Sequence, residues 1–168
     1  GLQAKVAAVV VSARQAPDTE VLLEATLGLW CALFRNAAPF TPEVRDTVLA
    51  GDLAGVLATT RDAECLGCAA SLCRSVFLCG GAYSAPILTS LLPAISACVP
   101  ELNRQGIECV LRPVALLYQA IAQYGMPPPD CSPALGDMLA FCVRGVAAAY
   151  ALQRVTAGTG EVLSSTSA

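Results

Sequence analysis

Every forty-odd residues this chain returns to the same short apolar phrase. Leu23-Glu24-Ala25-Thr26-Leu27-Gly28-Leu29 comes back loosely as Leu66-Gly67-Cys68-Ala69-Ala70-Ser71-Leu72 and again as Ile107-Glu108-Cys109-Val110-Leu111-Arg112-Pro113, at offsets of 43 and 41 residues. Each copy opens a long apolar stretch and follows a polar, acid-bearing turn. A period of this size belongs to arrays of helical units, because one such unit cannot bury its own apolar face and stacks on the next. It points to a surface built by stacking rather than to a catalytic pocket.

Composition agrees with helices. The chain is 55% hydrophobic and 14% charged, with aromatics at only 5%. The apolar excess therefore lies in Ala, Leu, Val and Cys, residues that suit close helix–helix contact. No run alternates with period two, so strands have no support. The expected class is all-α, in one domain over residues 1–168.

Helix boundaries can be read from caps and breakers. Leu2–Gln15 forms a first helix, and Asp18 or Thr19 starts a second that runs to about Asn36. Thr41-Pro42-Glu43 opens a short helix that stops at Gly51, and Asp52 caps another through Leu57. Thr60–Glu64 restarts the chain into a long helix, Glu64–Cys79, closed by Gly80-Gly81. Ala85–Val99 reads as two short segments around Pro93. Pro100-Glu101 opens a long helix to Tyr124-Gly125, kinked at Pro113. Ser132-Pro133 caps a last helix to about Val155, leaving 158–168 as a frayed tail of what looks like an excised piece of a longer chain.

Short, short, long is the helix order of armadillo repeats, and Pro42–Leu57 resembles the first two helices of that family. Arg45, the apolar pair Val48-Leu49 and Gly51 stand where the family carries a basic residue, an apolar pair and a turn glycine. Leu92-Pro93 is similar to the pair that often opens its second helix. The resemblance covers roughly residues 5–125, and the two-helix HEAT repeat is a near neighbour. It implies a short right-handed solenoid, an armadillo-like α-α superhelix of about three repeats, acting as a protein-interaction scaffold. Peptide-binding members line their groove with Trp and Asn. The matching positions here hold Leu27 and Cys31, Ala70 and Arg74, Leu111 and Ala115, so clamping of extended peptides is not expected.

Chemistry finds little foothold. The nine cysteines include Cys65-Leu66-Gly67-Cys68, with Cys73 and Cys79 following, but a structural zinc site needs a second close pair and the chain has no histidine. An odd number of cysteines in apolar helices reads as core thiols in a reducing compartment, hence the cytoplasm, with a thiol-based metal or redox module as an alternative. The acid pairs Asp18/Glu20 and Asp62/Glu64 lie at helix starts, where the dipole favours them. No catalytic residue, metal site or cofactor is expected.

The net charge is −3 and the ten basic residues are scattered, which argues against nucleic acid as a partner. From Ser75 to Pro100 no residue is charged, a span longer than the ~20 residues that cross a bilayer. Gly80-Gly81, Pro86 and Pro93 divide it, so core is preferred over membrane or lipid contact, which stays as an alternative. The expected partner is another protein or further repeats of the parent chain. Arg74 and Arg112, near the family's groove positions, are the candidate binding residues, and Trp30, Phe34 and Phe40 are a candidate exposed anchor, with padding of the core between the first two repeats as the alternative.

Overall fold

The structure, a computed structural model, describes Lys5, Ala8, residues 20–35, Leu49, residues 51–58, Thr60, residues 62–79, Gly81, residues 84–102, residues 104–125, Pro127 and residues 129–164. Among the described residues there is no strand, and the class is all-α. The elements are α1 (Glu20–Arg35), α2 (Leu53–Leu57), α3 (Ala63–Cys79), α4 (Ser84–Cys98), α5 (Arg104–Tyr124) and α6 (Ser132–Ser164). Three-residue 3-10 turns at Val99–Glu101 and Pro129–Cys131 precede the last two. Of the first expected helix only Lys5 and Ala8 are described, both helical, and of the expected short helix Pro42–Ala50 only Leu49 is described, π-helical, the rest lying outside the described residues.

The breakers do their work at three places. Asp62 caps α3: its Oδ1 accepts the Cys65 N–H at 2.7 Å, satisfying one of the amides that a helix start leaves without an internal partner. Gly81, at φ 53°, follows the end of α3. Gly125, at φ 108°, turns the chain out of α5 while its N–H donates to the Ile121 carbonyl at 2.9 Å.

Four boundaries differ from the sequence reading. Gly51 and Asp52 do not stop one helix and cap the next: both are π-helical and run straight into α2. Asp52 has helical angles, φ −62° and ψ −43°, and makes no side-chain cap bond. A wider π turn absorbs an extra residue without leaving the helix. Pro93 does not split its segment, and α4 is one helix with the exposed proline inside it. Burial of Ile87, Leu88, Leu91, Leu92 and Ile95 along one side outweighs the single backbone bond that Pro93 removes. Pro100-Glu101 belongs to a 3-10 turn rather than to the start of α5. Finally, α6 passes through Gly158 and Gly160 to Ser164, beyond the expected end near Val155.

Helix α3 is the centre of the molecule. It packs most extensively on α5, then on α1, and also on α4. Both long neighbours run parallel to it. Glu24 and Cys31 of α1 lie beside Cys68 and Ser75 of α3 in that order. On the other side Ala63 meets Gly106, Glu64 meets Cys109, and Gly67 lies against Cys109 and Pro113. A second set of contacts joins α2 to α4 and α4 to α6, while α6 also crosses back against α5 in the opposite direction. Tyr118 donates its hydroxyl to the Leu135 carbonyl there, and Gly145 faces Ile107.

One apolar core fills the space between the two sets. Leu27, Trp30, Leu53, Leu57, Leu66, Leu72, Leu91 and Ile95 are fully enclosed in it, each contributing roughly 1.5–3 kcal/mol by burial. Gly67 sets the α3–α5 spacing, because a Cβ there would stand 2.8 Å from the Cys109 carbonyl oxygen. Only hydrogen fits. Cys98 ties the second set together by donating its thiol to the Leu57 carbonyl, 3.2 Å away, at the end of α2.

Candidate functional surface

The outward side of α1, α3 and α5 carries most of the chemistry expected from the sequence. Glu24, Glu64 and Glu108 are exposed near the start of the three helices. Arg35, Arg74 and Arg112 follow them, each on the same helix as its glutamate. Because the helices are parallel, all three acids stand towards one edge of the surface. Of the six, Glu64 in the first turn of α3 and Arg35 in the last turn of α1 lie where the helix dipole acts. This glutamate-before-arginine order is written three times in the sequence, and a search for motifs within single helices passes over it.

Arg74 and Arg112 are not equivalent. Arg112 is exposed on α5. Arg74 is half-buried on the side of α3 that turns to α5, and its Nε is buried with no hydrogen-bond partner among the described residues. A guanidinium held by its stem with the fork at the surface has already lost much of its rotamer freedom, which lowers the cost of binding an acceptor.

Trp30 is placed elsewhere. It is completely enclosed, at 0% exposure, and belongs to the core rather than to an exposed anchor. An aromatic of this size gains more from burial in the α1–α3 contact than from solvent. Phe34 lies on α1, and its side chain is outside the described residues.

Thiols line the same surface where the helices meet. Cys68 is half-buried in α3, with Cys31 and the carboxylates of Glu24, Glu64 and Asp62 around it. Burial first, and then those carboxylates, push its thiol pKa up to about 11. Cys109 donates to Glu64 Oε1 at 3.1 Å, and that hydrogen bond holds its proton on and raises its pKa. Burial raises Cys31, Cys73, Cys131 and Cys142 in the same direction. Protonated thiols are poor nucleophiles and poor ligands, which is the opposite of a redox or metal-binding set. Cys65 is fully buried while Cys68 is not, so the Cys65/Cys68 pair does not present two sulfurs to one ligand. No group of three or more metal-binding side chains occurs among the described residues. None of the nine cysteines is in a disulfide.

An open groove of about 510 Å³ lies on the other side, between α4 and the first half of α6. Pro93, Pro100 and Pro133 form its walls, with Asp130, Asp137 and Arg144 at its edge. Ser96, Ala97, Ala134 and Ala140 complete its lining.

Two of the exposed apolar residues, Leu29 and Leu116, lie on α1 and α5, while Leu139, Val143, Val146 and Tyr150 all lie on α6. One segment, Pro129–Ala148, is long and apolar enough to cross a membrane. No family model matches the chain, and no curated protein or solved structure matches it.

Proposed function

We infer that this chain is a protein-interaction scaffold, a short armadillo-like or HEAT-like solenoid segment with no reaction of its own. One observation carries the reading: the three segments that echo one another in sequence lie on three parallel long helices, α1, α3 and α5, packed in order. The contacts between them, and the Cys98–Leu57 and Thr89–Cys131 contacts of the second set, all join residues forty-odd positions apart. Stacked units of this kind offer a long surface whose specificity lies in exposed side chains. The odd number of cysteines, most of them inside apolar helices, supports a reducing compartment such as the cytoplasm.

The partner is another protein, held on the outward face of the long helices by Arg74 and Arg112, with Phe34 at its edge. Crosslinking the folded chain in a cell extract identifies that partner, and its affinity is then measured against variants. Arg74→Ala and Arg112→Ala should keep the helical signal and each weaken binding about fivefold or more, as an interface arginine does. Normal binding by both, with loss on Phe34→Ala, would move the interface to the edge of the stack.

A second reading, membrane or lipid contact, is favoured by the apolar Pro129–Ala148 segment. It requires the protein to need detergent or to float with vesicles, whereas the scaffold stays in solution without either.

A further inference from the structure

We propose that the exposed apolar stripe of α6 is a self-association seam, along which a second copy of this chain docks its own α6 antiparallel. The inference uses a different face from the scaffold surface and does not depend on it.

Leu139, Val143, Val146 and Tyr150 are 47%, 60%, 53% and 63% exposed. Their spacing is four, three, four, which on an α-helix confines all four to one narrow strip. That strip stands about a fifth of a turn from the residues that bury α6 against the body, Leu135, Met138 and Cys142. A strip of this phasing is the seam of a helix pair, narrower than the face that a helix turns to a globular core. It contains no charge. At its end the Arg154 guanidinium lies over the Tyr150 ring, 6.0 Å from its centre.

The same helix supplies an independent reason to expect a partner. Beyond Cys142 no described residue of α6 is buried, yet the helix continues to Ser164. The described side chains from Val143 to Arg154 are nearly all exposed and gain little from packing, so a covering helix would account for the helix's persistence.

Why a second copy covers it follows from symmetry and charge. The spacing reads the same in both directions. A two-fold axis between Val143 and Val146 therefore sets Val143 on Val146 of the second copy, and Leu139 on Tyr150, closing an isologous contact. The antiparallel direction also sends the two Arg154 groups to opposite ends of the seam, whereas a parallel pair would bring them side by side. The four side chains expose on the order of 400 Å² per copy, and Ala140, Ala147 and the Arg154 stem beside them bring the total for two copies towards the ~1,200 Å² of the smallest stable interfaces. The dimer should be weak and concentration-dependent.

Sedimentation of the full chain across micromolar concentrations tests this, with circular dichroism to check that each variant keeps its helix content. The wild type should pass from monomer to dimer, and Val143→Glu should weaken that step at least about tenfold by burying an unpaired charge. Adding Val146→Lys to Val143→Glu should restore the dimer, because the antiparallel register pairs opposite charges twice. A parallel seam would set like against like and stay apart. A wild type that is monomeric throughout, a dimer indifferent to Val143→Glu, a double variant without rescue, or association only with phosphatidylcholine vesicles would each overturn the proposal.

Discussion

Helix α3 and the outward strip of α6 are both apolar in sequence and opposite in circumstance. On α3, the apolar residues from Cys65 to Val76 are covered by α1, α4 and α5. On α6, Val143, Val146 and Tyr150 face outward and nothing described beyond Cys142 is buried. The difference lies in pattern. Apolar residues ring α3 broadly enough to meet neighbours on several sides, while those of α6 form two adjoining strips, one used by the body and one left over. Hydrophobicity alone says that a helix will be covered; its distribution round the axis says by how many neighbours.

The sharpest test of that contrast compares two large aromatics. Trp30→Ala should destabilise by about 3–5 kcal/mol in chemical denaturation, since it empties an enclosed site. Tyr150→Ala should change the stability of the monomer by less than about 0.5 kcal/mol. Equal effects would mean that α6 is as embedded as α1.

Next in size is the α3–α5 contact. Gly67→Val should cost about 1–3 kcal/mol, because its Cβ would meet the Cys109 carbonyl, a backbone atom that cannot swing aside. Gly136→Ala on α6, where nothing lies within 4 Å, should instead be neutral or stabilise by up to ~1 kcal/mol. Thermal melts of the pair read this directly.

Asp62→Ala should cost about 1 kcal/mol through loss of the α3 cap.

The smallest effect is a slope with pH. Cys68 has its pKa raised from 9.0 to about 11 in the folded chain, so above pH 9 the unfolded state loses that proton while the folded state keeps it. Its contribution is complete below pH 9 and is lost as pH climbs towards 11. Stability measured through this window should fall, and less so in Cys68→Ala. A rise would contradict the burial of this thiol.

How much of this was legible beforehand differs from element to element. The limits of α3 and the end of α5 could be read because Asp62, Gly81 and Gly125 act through local geometry that their types announce. The continuity of α4 could not, since Pro93 is a breaker by local rules and only tertiary burial of Leu91, Leu92 and Ile95 overrules it. Gly51 failed in the same way, its expected turn becoming a π-helical passage. The candidate surface was half visible: Arg74 and Arg112 could be named, but the burial of Trp30 depends on what α3 brings against it. The seam on α6 escaped because exposure is a property of the assembled chain.

Parallel packing of α1, α3 and α5 has an electrostatic consequence for how far such a stack can extend. In an antiparallel bundle neighbouring dipoles oppose and largely cancel, whereas here they point one way and their partial charges, about half a unit at each helix end, accumulate along two edges. A stack growing on those terms would repel each newcomer more than the last. The side chains offset this only in part: Glu64 stands in the first turn of α3 and Arg35 in the last turn of α1, while α5 begins with Arg104 at its own positive end. The parallel arrangement of α1, α3 and α5 therefore carries an electrostatic cost that falls most heavily at the start of α5.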